Sequence, residues 1–228
     1  MAEVDRQSAL RKPLGLALSF RNAGSGEGRK TRPVEPARKA LRLIRRIWRS
    51  LASGLLLSWY KAQFAGLRTG SGLVLGRGTY ISLACGGRLI IGDNVRIAPN
   101  VHLTVEGGML EIGDDCFIGD GAIIVAVERI SIGRDALIAS YVTVRDQNHG
   151  FDQPGLPYRA QPAVSAPIVI EPNVWLGTHA TVLKGVTIGH SAIVGANAVV
   201  TGDLPAGMLC VGVPARPVKA IATDAKRP

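Results

Sequence analysis

Aliphatic residues return at every sixth position over more than half of the chain. Seventeen such hexads can be aligned between Leu75 and Pro205, and each begins with Leu, Ile or Val. Clear copies cover residues 91–96, 97–102, 112–117 and 118–123. Gly, Asp and Asn fill the third and fourth places, where a tight turn needs unusual backbone angles. The spacing therefore predicts short strands separated by tight turns.

Three hexads make one three-sided coil, with a strand and a turn on each side. The first and fifth residues of each hexad point inward, and the fifth is small because it lies near a corner. Stacked coils pair their strands in parallel about 4.8 Å apart. The repeat thus predicts an all-β solenoid over residues 69–206, with 18-residue coils such as 170–188. A C-terminal segment, residues 207–228, follows it.

The first 68 residues have a different pattern. Residues 1–36 are polar and predict a disordered tail. Residues 37–68 predict a basic amphipathic helical arm, because apolar residues such as Trp48, Leu55 and Trp59 recur at spacings of three and four. Its longest uncharged run, residues 50–60, is too short to span a bilayer, which takes about 20 residues. The helix either packs on the main domain or lies on an anionic membrane surface through residues 37–64.

The charge of the chain is concentrated in this arm. The net charge is +10, and residues 1–68 alone carry 15 Lys and Arg against 4 Asp and Glu. The remainder is close to neutral, which argues against nucleic-acid binding by the solenoid. Three Cys without paired spacing argue against a disulfide scaffold or a zinc site. We therefore expect a cytoplasmic protein, with peripheral attachment to the inner face of the membrane as the alternative.

One long insertion, residues 150–167, interrupts the hexads. It holds Pro154, Pro157, Pro162 and Pro167, which predict neither strand nor helix. A long loop in so regular a fold is usually functional. His149 directly precedes it, and an imidazole can accept a proton near neutral pH. His149 is therefore the candidate general base, whereas the other three histidines fall on variable or turn positions and are predicted to be surface residues.

The chain also resembles a known family. The residues that carry the resemblance are Asp-Gln-Asn-His-Gly-Phe at 146–151, the Trp-containing stretch 167–177, Gly-Val-Thr-Ile-Gly at 185–189 and Gly-Val-Pro-Ala-Arg at 212–216. Over about residues 70–222 they are similar to the hexapeptide-repeat acyltransferases, which fold as a left-handed parallel β-helix. The similarity is greatest to acetyltransferases of bacterial exopolysaccharide, capsule and lipopolysaccharide sugars, and extends to the maltose and galactoside O-acetyltransferases. It implies a homotrimer with its active sites between subunits.

The resemblance implies transfer of an acetyl group from acetyl-CoA to a sugar hydroxyl, with no metal. His149 would be the base, oriented by Asp146 or by a backbone carbonyl. Asn148 and Asp120 would lie on the acceptor side, and the Thr178 N–H would bind the oxyanion. Residues that match the family's CoA contacts are Trp175, Thr178, Ala196, Thr201, Arg216 and Lys219. Many relatives have Lys where this chain has Gly202.

Three alternatives remain at this point. An N-acetyltransferase of an amino sugar or sugar nucleotide would need the same base. A zinc-dependent γ-type carbonic anhydrase shares the fold, but it needs two His five residues apart, and no pair here has that spacing. A non-enzymatic β-helix scaffold needs neither His149 beside the insertion nor a basic C-terminal segment.

Overall fold

The computed structural model describes Ala40 and residues 53–221. Within this part the chain winds into stacked coils that form three parallel sheets, as the hexads predict. We call them sheets A, B and C in the order in which the chain visits them. Each coil therefore has an A–B edge, a B–C edge and a C–A edge, where the chain turns from one sheet to the next.

The strands divide among the sheets as follows. Sheet A contains β1 (Leu67–Thr69), β4 (Arg88–Ile91), β7 (Met109–Ile112), β10 (Arg129–Ile132), β15 (Ile168–Ile170) and β18 (Thr187–Ile188). Sheet B contains β2 (Val74–Leu75), β5 (Arg96–Ile97), β8 (Phe117–Ile118), β11 (Leu137–Ile138), β16 (Trp175–Leu176), β19 (Ile193–Val194), β21 (Met208–Val211) and β22 (Arg216–Ala220). Sheet C contains β3 (Tyr80–Ala84), β6 (His102–Glu106), β9 (Ile123–Ala126), β12 (Thr143–Arg145), β17 (Thr181–Val182) and β20 (Val199–Val200).

The core is a stack of identical inward positions. In sheet A, Leu89, Leu110, Ile130 and Ile168 pair at successive levels and are all fully buried. The fifth position of the hexad is also buried, and Cys116 occupies one such place. Burial raises the pKa of the Cys116 thiol to about 11, so it packs as a neutral group.

The coils of the first half are longer than predicted. Leu67 pairs with Leu89, and Leu89 with Leu110, so each coil there exceeds three hexads. The additional residues lie at the C–A edge. A Cβ on Gly108 would lie 2.4 Å from the Val127 carbonyl oxygen, so these wider turns need glycine for close contact with the next coil. The 18-residue coil is found from Ile170 to Ile188.

The insertion forms a flap at the C–A edge. β13 (Gln147–His149) pairs antiparallel with β14 (Ala163–Ser165), and a 3-10 helix, Tyr158–Ala160, lies between them. The prediction that residues 150–167 form neither strand nor helix is therefore wrong, because the prolines fall just outside both elements. The buried Gln161 side chain bonds to the backbone of Gln153 and Leu156 and closes the flap on itself.

A helix over residues 53–63, named α1, covers the first coil. The Tyr60 hydroxyl donates to the Thr79 carbonyl and accepts from the Ile81 N–H, and Ser53 Oγ accepts from the Leu75 N–H. The arm thus packs on the domain, but by a different face from the predicted stripe, since Leu55 and Trp59 are 75% and 53% exposed. No helix within the described residues has the length and apolar character needed to cross a membrane. The predicted disordered tail 1–36, residues 37–39 and 41–52 of the predicted arm, and residues 222–228 lie outside the described residues.

Candidate active site

The B–C edge is a column of similar four-residue turns. The fourth residue donates its N–H to the carbonyl of the first, as Ala180 does to Gly177 at 3.0 Å. The third residue has positive φ, 59° at His179 and 58° at Asn197, and donates to the coil before it. In such a turn the second residue's N–H points away from the column. These outward N–H groups are the hydrogen-bond donors that the B–C edge offers to a ligand.

Three predicted site residues stand at this second position. They are Asp120, Thr178 and Ala196, with Ser140 between the first two. Within residues 53–221, none of these four N–H groups donates a hydrogen bond. Adjacent levels are about 4.8 Å apart, so Thr178 and Ala196 present two free donors one level apart. A row of free donors can bind carbonyl oxygens or an oxyanion.

Asp120 has an unusual place in this column. The neighbour below it is Pro99, which has no N–H for the carboxylate to accept. Asp120 instead accepts a long bond, 3.3 Å, from the Asn100 side-chain amide. Its carboxylate therefore retains accepting capacity toward solvent.

Trp175 lies on the outer face of sheet B and leads directly into the Thr178 turn. It pairs with Leu137 below and Ile193 above, and it is 45% exposed. Arg216 and Lys219 follow at the C-terminal end of the same sheet, on β22, and both are exposed. Five of the six predicted CoA contacts thus share one side of the molecule: Trp175, Thr178, Ala196, Arg216 and Lys219. Thr201 instead follows β20 and lies at the C–A edge.

His149 lies at a different edge. It ends β13 of the flap, pairs with Ala163 and is exposed, as is its neighbour Asn148. The flap begins where β12 ends, about five residues and therefore about 16 Å along the strand from the B–C edge. A single chain thus carries the candidate base and the free amides at separate edges.

Asp146 is fully buried at the root of the flap. Its carboxylate accepts the N–H groups of Val127, Glu128 and Arg129 at 2.8, 2.9 and 2.9 Å. Its carbonyl also accepts the Ala166 N–H, which closes the far side of the root. Within the described residues, these contacts engage both carboxylate oxygens and do not include His149. Sequence reasoning missed this link, because the three partners lie 17 to 19 positions earlier.

The other three histidines are exposed, as predicted. His179 stacks on Tyr141 with ring centroids 5.0 Å apart, and His102 contacts Tyr80 at 5.6 Å. The backbone N–H of His190 donates to Glu171 at the A–B edge. Within residues 53–221 no three His, Cys, Asp or Glu side chains converge to form a metal site.

Comparison with known proteins places this geometry in a family. The family model described as bacterial transferase hexapeptide (six repeats) matches residues 167–202, and that of the hexapeptide repeat of succinyl-transferase matches residues 110–144. The putative lipopolysaccharide biosynthesis O-acetyl transferase WbbJ of Escherichia coli is 36% identical over 58% of this chain and 72% of its own length. The chain belongs to the hexapeptide-repeat acetyltransferases.

Other relatives of this acetyltransferase agree with the assignment. The galactoside O-acetyltransferase of Escherichia coli is 33% identical over 58% of this chain and 63% of its own length. Among solved structures, the N-acyltransferase AntD of Bacillus cereus superposes with a TM-score of 0.61 at 23% identity, covering 72% of this chain and 90% of AntD. That superposition shows that the two proteins share the β-helix fold.

Proposed function

We propose that this acetyltransferase transfers an acetyl group from acetyl-CoA to a saccharide hydroxyl in bacterial surface polysaccharide synthesis. The observation that carries the proposal is the row of free amides at Thr178 and Ala196 beside Trp175. A thioester needs a donor for its developing oxyanion, and these amides supply donors held by a rigid fold. The relatives named for lipopolysaccharide and galactoside O-acetylation support the choice of a saccharide acceptor.

In the proposed reaction, His149 removes the proton of the acceptor hydroxyl while its oxygen attacks the thioester carbonyl carbon. The tetrahedral intermediate carries a negative oxygen that accepts the Thr178 N–H. Collapse of the intermediate breaks the carbon–sulfur bond, and the imidazolium returns its proton to the CoA thiolate. The products are the acetyl ester and CoA, and His149 is neutral again.

We assign the acetyl-CoA to the B–C side of the column. Trp175 would cover the thioester end, and the Ala196 N–H would bind a pantetheine carbonyl one level on. Arg216 and Lys219 would bind the phosphates, for which an arginine fork is well suited. Thr201 lies at the other edge of the same chain, so its nucleotide contact would come from a neighbouring copy. Asp120 and Asn148 would bind acceptor hydroxyls, and Asp146 would position His149 through the flap.

The separation of the two edges supports a site shared between copies. A general base acts within hydrogen-bond reach, about 3 Å, of the proton it takes. The flap of one subunit must therefore meet the B–C edge of another, as in the homotrimer that the family resemblance implies. The exposed flap residues Phe151, Leu156 and Tyr158 would then gain apolar partners.

The exposed face of α1 supports attachment to a membrane. Leu55 and Trp59 are four residues apart on that face, and the preceding residues 37–49 are rich in arginine. An apolar pair beside basic residues is suited to an anionic lipid surface. We therefore place the enzyme in the cytoplasm, peripherally attached at the inner face of the membrane.

The function is tested with an acetyl-CoA consumption assay against sugars, polysaccharide oligomers and amino sugars. We expect His149→Ala to lower kcat by at least about 100-fold, while His102→Ala, also an exposed histidine, leaves it unchanged. A drop below tenfold for His149→Ala would remove His149 from its role. Turnover of amino sugars alone would establish the N-acetyltransferase alternative, and turnover of nothing would favour a scaffold.

The shared site is tested by subunit mixing. His149→Ala subunits keep the free amide, and Thr178→Pro subunits keep the base. Co-folding the two inactive variants should restore part of the wild-type activity, because some interfaces combine an intact base with an intact amide. Activity that stays at the level of the separate variants would show that each chain forms its own site.

Membrane attachment is tested with liposomes of anionic and neutral composition. Leu55→Ser with Trp59→Ser should lower binding to the anionic liposomes, and turnover of a soluble acceptor should persist. Ala62→Ser with Gln63→Ser, at two uncharged exposed positions on the same helix, is the control. Equal binding by the wild type and the Leu55/Trp59 variant would reject this part of the proposal.

A further inference from the structure

A groove of about 1140 Å³ runs between α1 and the first coils of sheet B. Its apolar wall is formed by Leu56 of the helix and by Val74, Pro99 and Phe117 of the column. Val74 and Phe117 are each 39% exposed, so their side chains are accessible to a ligand. The groove is therefore a largely apolar surface that a ligand can reach.

Two arginines give the groove its charge. Arg77 and Arg96 line it, and within residues 53–221 neither forms an ion pair. Arg96 also borders a second cleft that contains Asp115, so Arg77 is the less compensated of the two. Guanidinium groups without an acidic partner are suited to phosphate, which they bind in a fork geometry. Arg96 stands between Val74 and Phe117 on the outer face of sheet B, and Arg77 lies on the adjoining B–C turn, so the groove combines apolar side chains with two anion-binding groups.

The groove is continuous with the candidate active site. Phe117, at its upper end, pairs with Leu137, and Leu137 with Trp175, so an exposed apolar stripe leads to the donor residues. Arg77 also holds the second position of its B–C turn, the same position as Thr178 four levels higher. Four levels correspond to about 19 Å. That distance leaves room for a short saccharide between an anion at Arg77 and the Thr178 amide.

We propose that this groove binds the phosphorylated lipid chain of a lipid-linked saccharide acceptor. The lipid lies on Leu56, Val74 and Phe117, its phosphate binds Arg77 and Arg96, and the saccharide extends along the B–C edge toward Thr178. The placement of the saccharide rests on the proposed function. The binding of the lipid phosphate does not depend on it. Charge and apolarity select the occupant: a neutral lipid would leave the arginines unpaired, and a free nucleotide would leave the apolar wall exposed.

The test measures binding of farnesyl diphosphate to the full-length protein by titration calorimetry. Farnesol, which lacks the phosphate, and inorganic pyrophosphate, which lacks the chain, are the matched ligands and should bind at least tenfold more weakly. Arg77→Gln with Arg96→Gln should weaken farnesyl diphosphate binding at least tenfold. Arg68→Gln with Arg88→Gln, on the outer face of sheet A in the same coils, is the control and should change it less than twofold. Phe117→Asn tests the apolar wall and should also weaken binding.

Several outcomes would overturn the proposal. They are no binding by the wild-type protein, equal weakening in the two arginine pairs, and equally tight binding of dihexanoylphosphatidylglycerol, which would indicate an ordinary phospholipid site. A groove covered by a second copy of the chain would also give no binding. Thermal unfolding of each variant shows whether the fold is intact. Lipid binding without acetyl transfer to any acceptor would reject the proposed function alone, and transfer without lipid binding would reject this inference alone.

Discussion

The A–B edge and the B–C edge use the same four-residue turn, yet their outward amides have different partners. At the A–B edge, the Ser71 N–H donates to Asp93, the Asp93 N–H to Asp114 and the His190 N–H to Glu171, while the N–H groups of Asp114 and Arg134 donate to nothing within residues 53–221. At the B–C edge, the N–H groups of Asp120, Ser140, Thr178 and Ala196 donate to nothing within residues 53–221. The turn alone therefore does not define a binding edge. What distinguishes the two edges is that carboxylates from neighbouring coils accept three of the outward N–H groups at the A–B edge and none of those at the B–C edge.

The largest expected effect comes from removing one free amide. Thr178→Pro deletes the N–H at a position where the turn accepts proline, since Pro99 and Pro172 already stand at equivalent places. We expect kcat to fall about 100-fold without loss of thermal stability. Arg134→Pro makes the same change at the A–B edge and should leave kcat unaltered. Equal losses in both variants would contradict the distinction between the edges.

The next effect concerns the third edge, where the Asp146 carboxylate holds the flap root. Asp146→Asn leaves only one acceptor for three N–H groups, so we expect a loss of about 3 kcal/mol in unfolding free energy. Displacement of His149 should also lower kcat about tenfold. Asp203→Asn is the control variant, because Asp203 accepts a single hydrogen bond, from the Thr187 N–H, at the same edge. Urea unfolding and steady-state kinetics measure both effects, and a stable, fully active Asp146→Asn variant would show that the anchor is dispensable.

A smaller effect should follow from opening the A–B edge. Glu171→Gln weakens the acceptor of the His190 N–H, which the structure places at 2.7 Å. Because the bond is exposed, we expect at most about 1 kcal/mol of lost stability and no change in kcat. A substantial loss of activity would show that the A–B edge also takes part in catalysis.

The smallest effect is on a single carboxyl group. The Ser71 N–H and hydroxyl hold the pKa of Asp93 below its ordinary value of 3.8. Because the folded-state pKa is depressed, this contact stabilises the protein above pH 3.8 and is lost as the pH falls through the lower folded value. Ser71→Ala removes only the hydroxyl, so the Asp93 midpoint in a carboxyl NMR titration should rise part of the way. A midpoint that does not move would show that the backbone N–H alone causes the shift.

Much of the fold could be predicted because its cause is local. An aliphatic residue at every sixth position places Leu89, Leu110 and Ile130 in one buried stack, and a break in the repeat marks the flap beside His149. The face of α1 was not predictable in the same way. Leu55 and Trp59 look like the buried stripe in sequence, but Ser53 and Tyr60 find polar partners on the first coil. Contacts with a distant segment therefore outweighed the helical periodicity.

In the candidate site too, the features that follow from the repeat could be predicted, and those that depend on contacts between coils could not. The residue type at each turn position follows from the repeat, so Thr178 and Ala196 could be located on a corner. Whether their amides are free depends on side chains from the next coil, about 20 positions away. The three partners of Asp146 and the arginines of the groove also come together only by stacking. Arg77 occupies a turn position and Arg96 the variable sixth position of the repeat, and neither position identifies an anion site in a single sequence.

The way the flap closes bears on how this enzyme can change. Its root is tied by Asp146 and its tip by Gln161, and β10 still pairs in register with β15 across the insertion. Length and composition between those two ties can therefore vary without disturbing the column. In the proposed shared site, exchanging this one segment would change the acceptor preference, and grafting flaps between homologues would be a route to redesigned sugar modification.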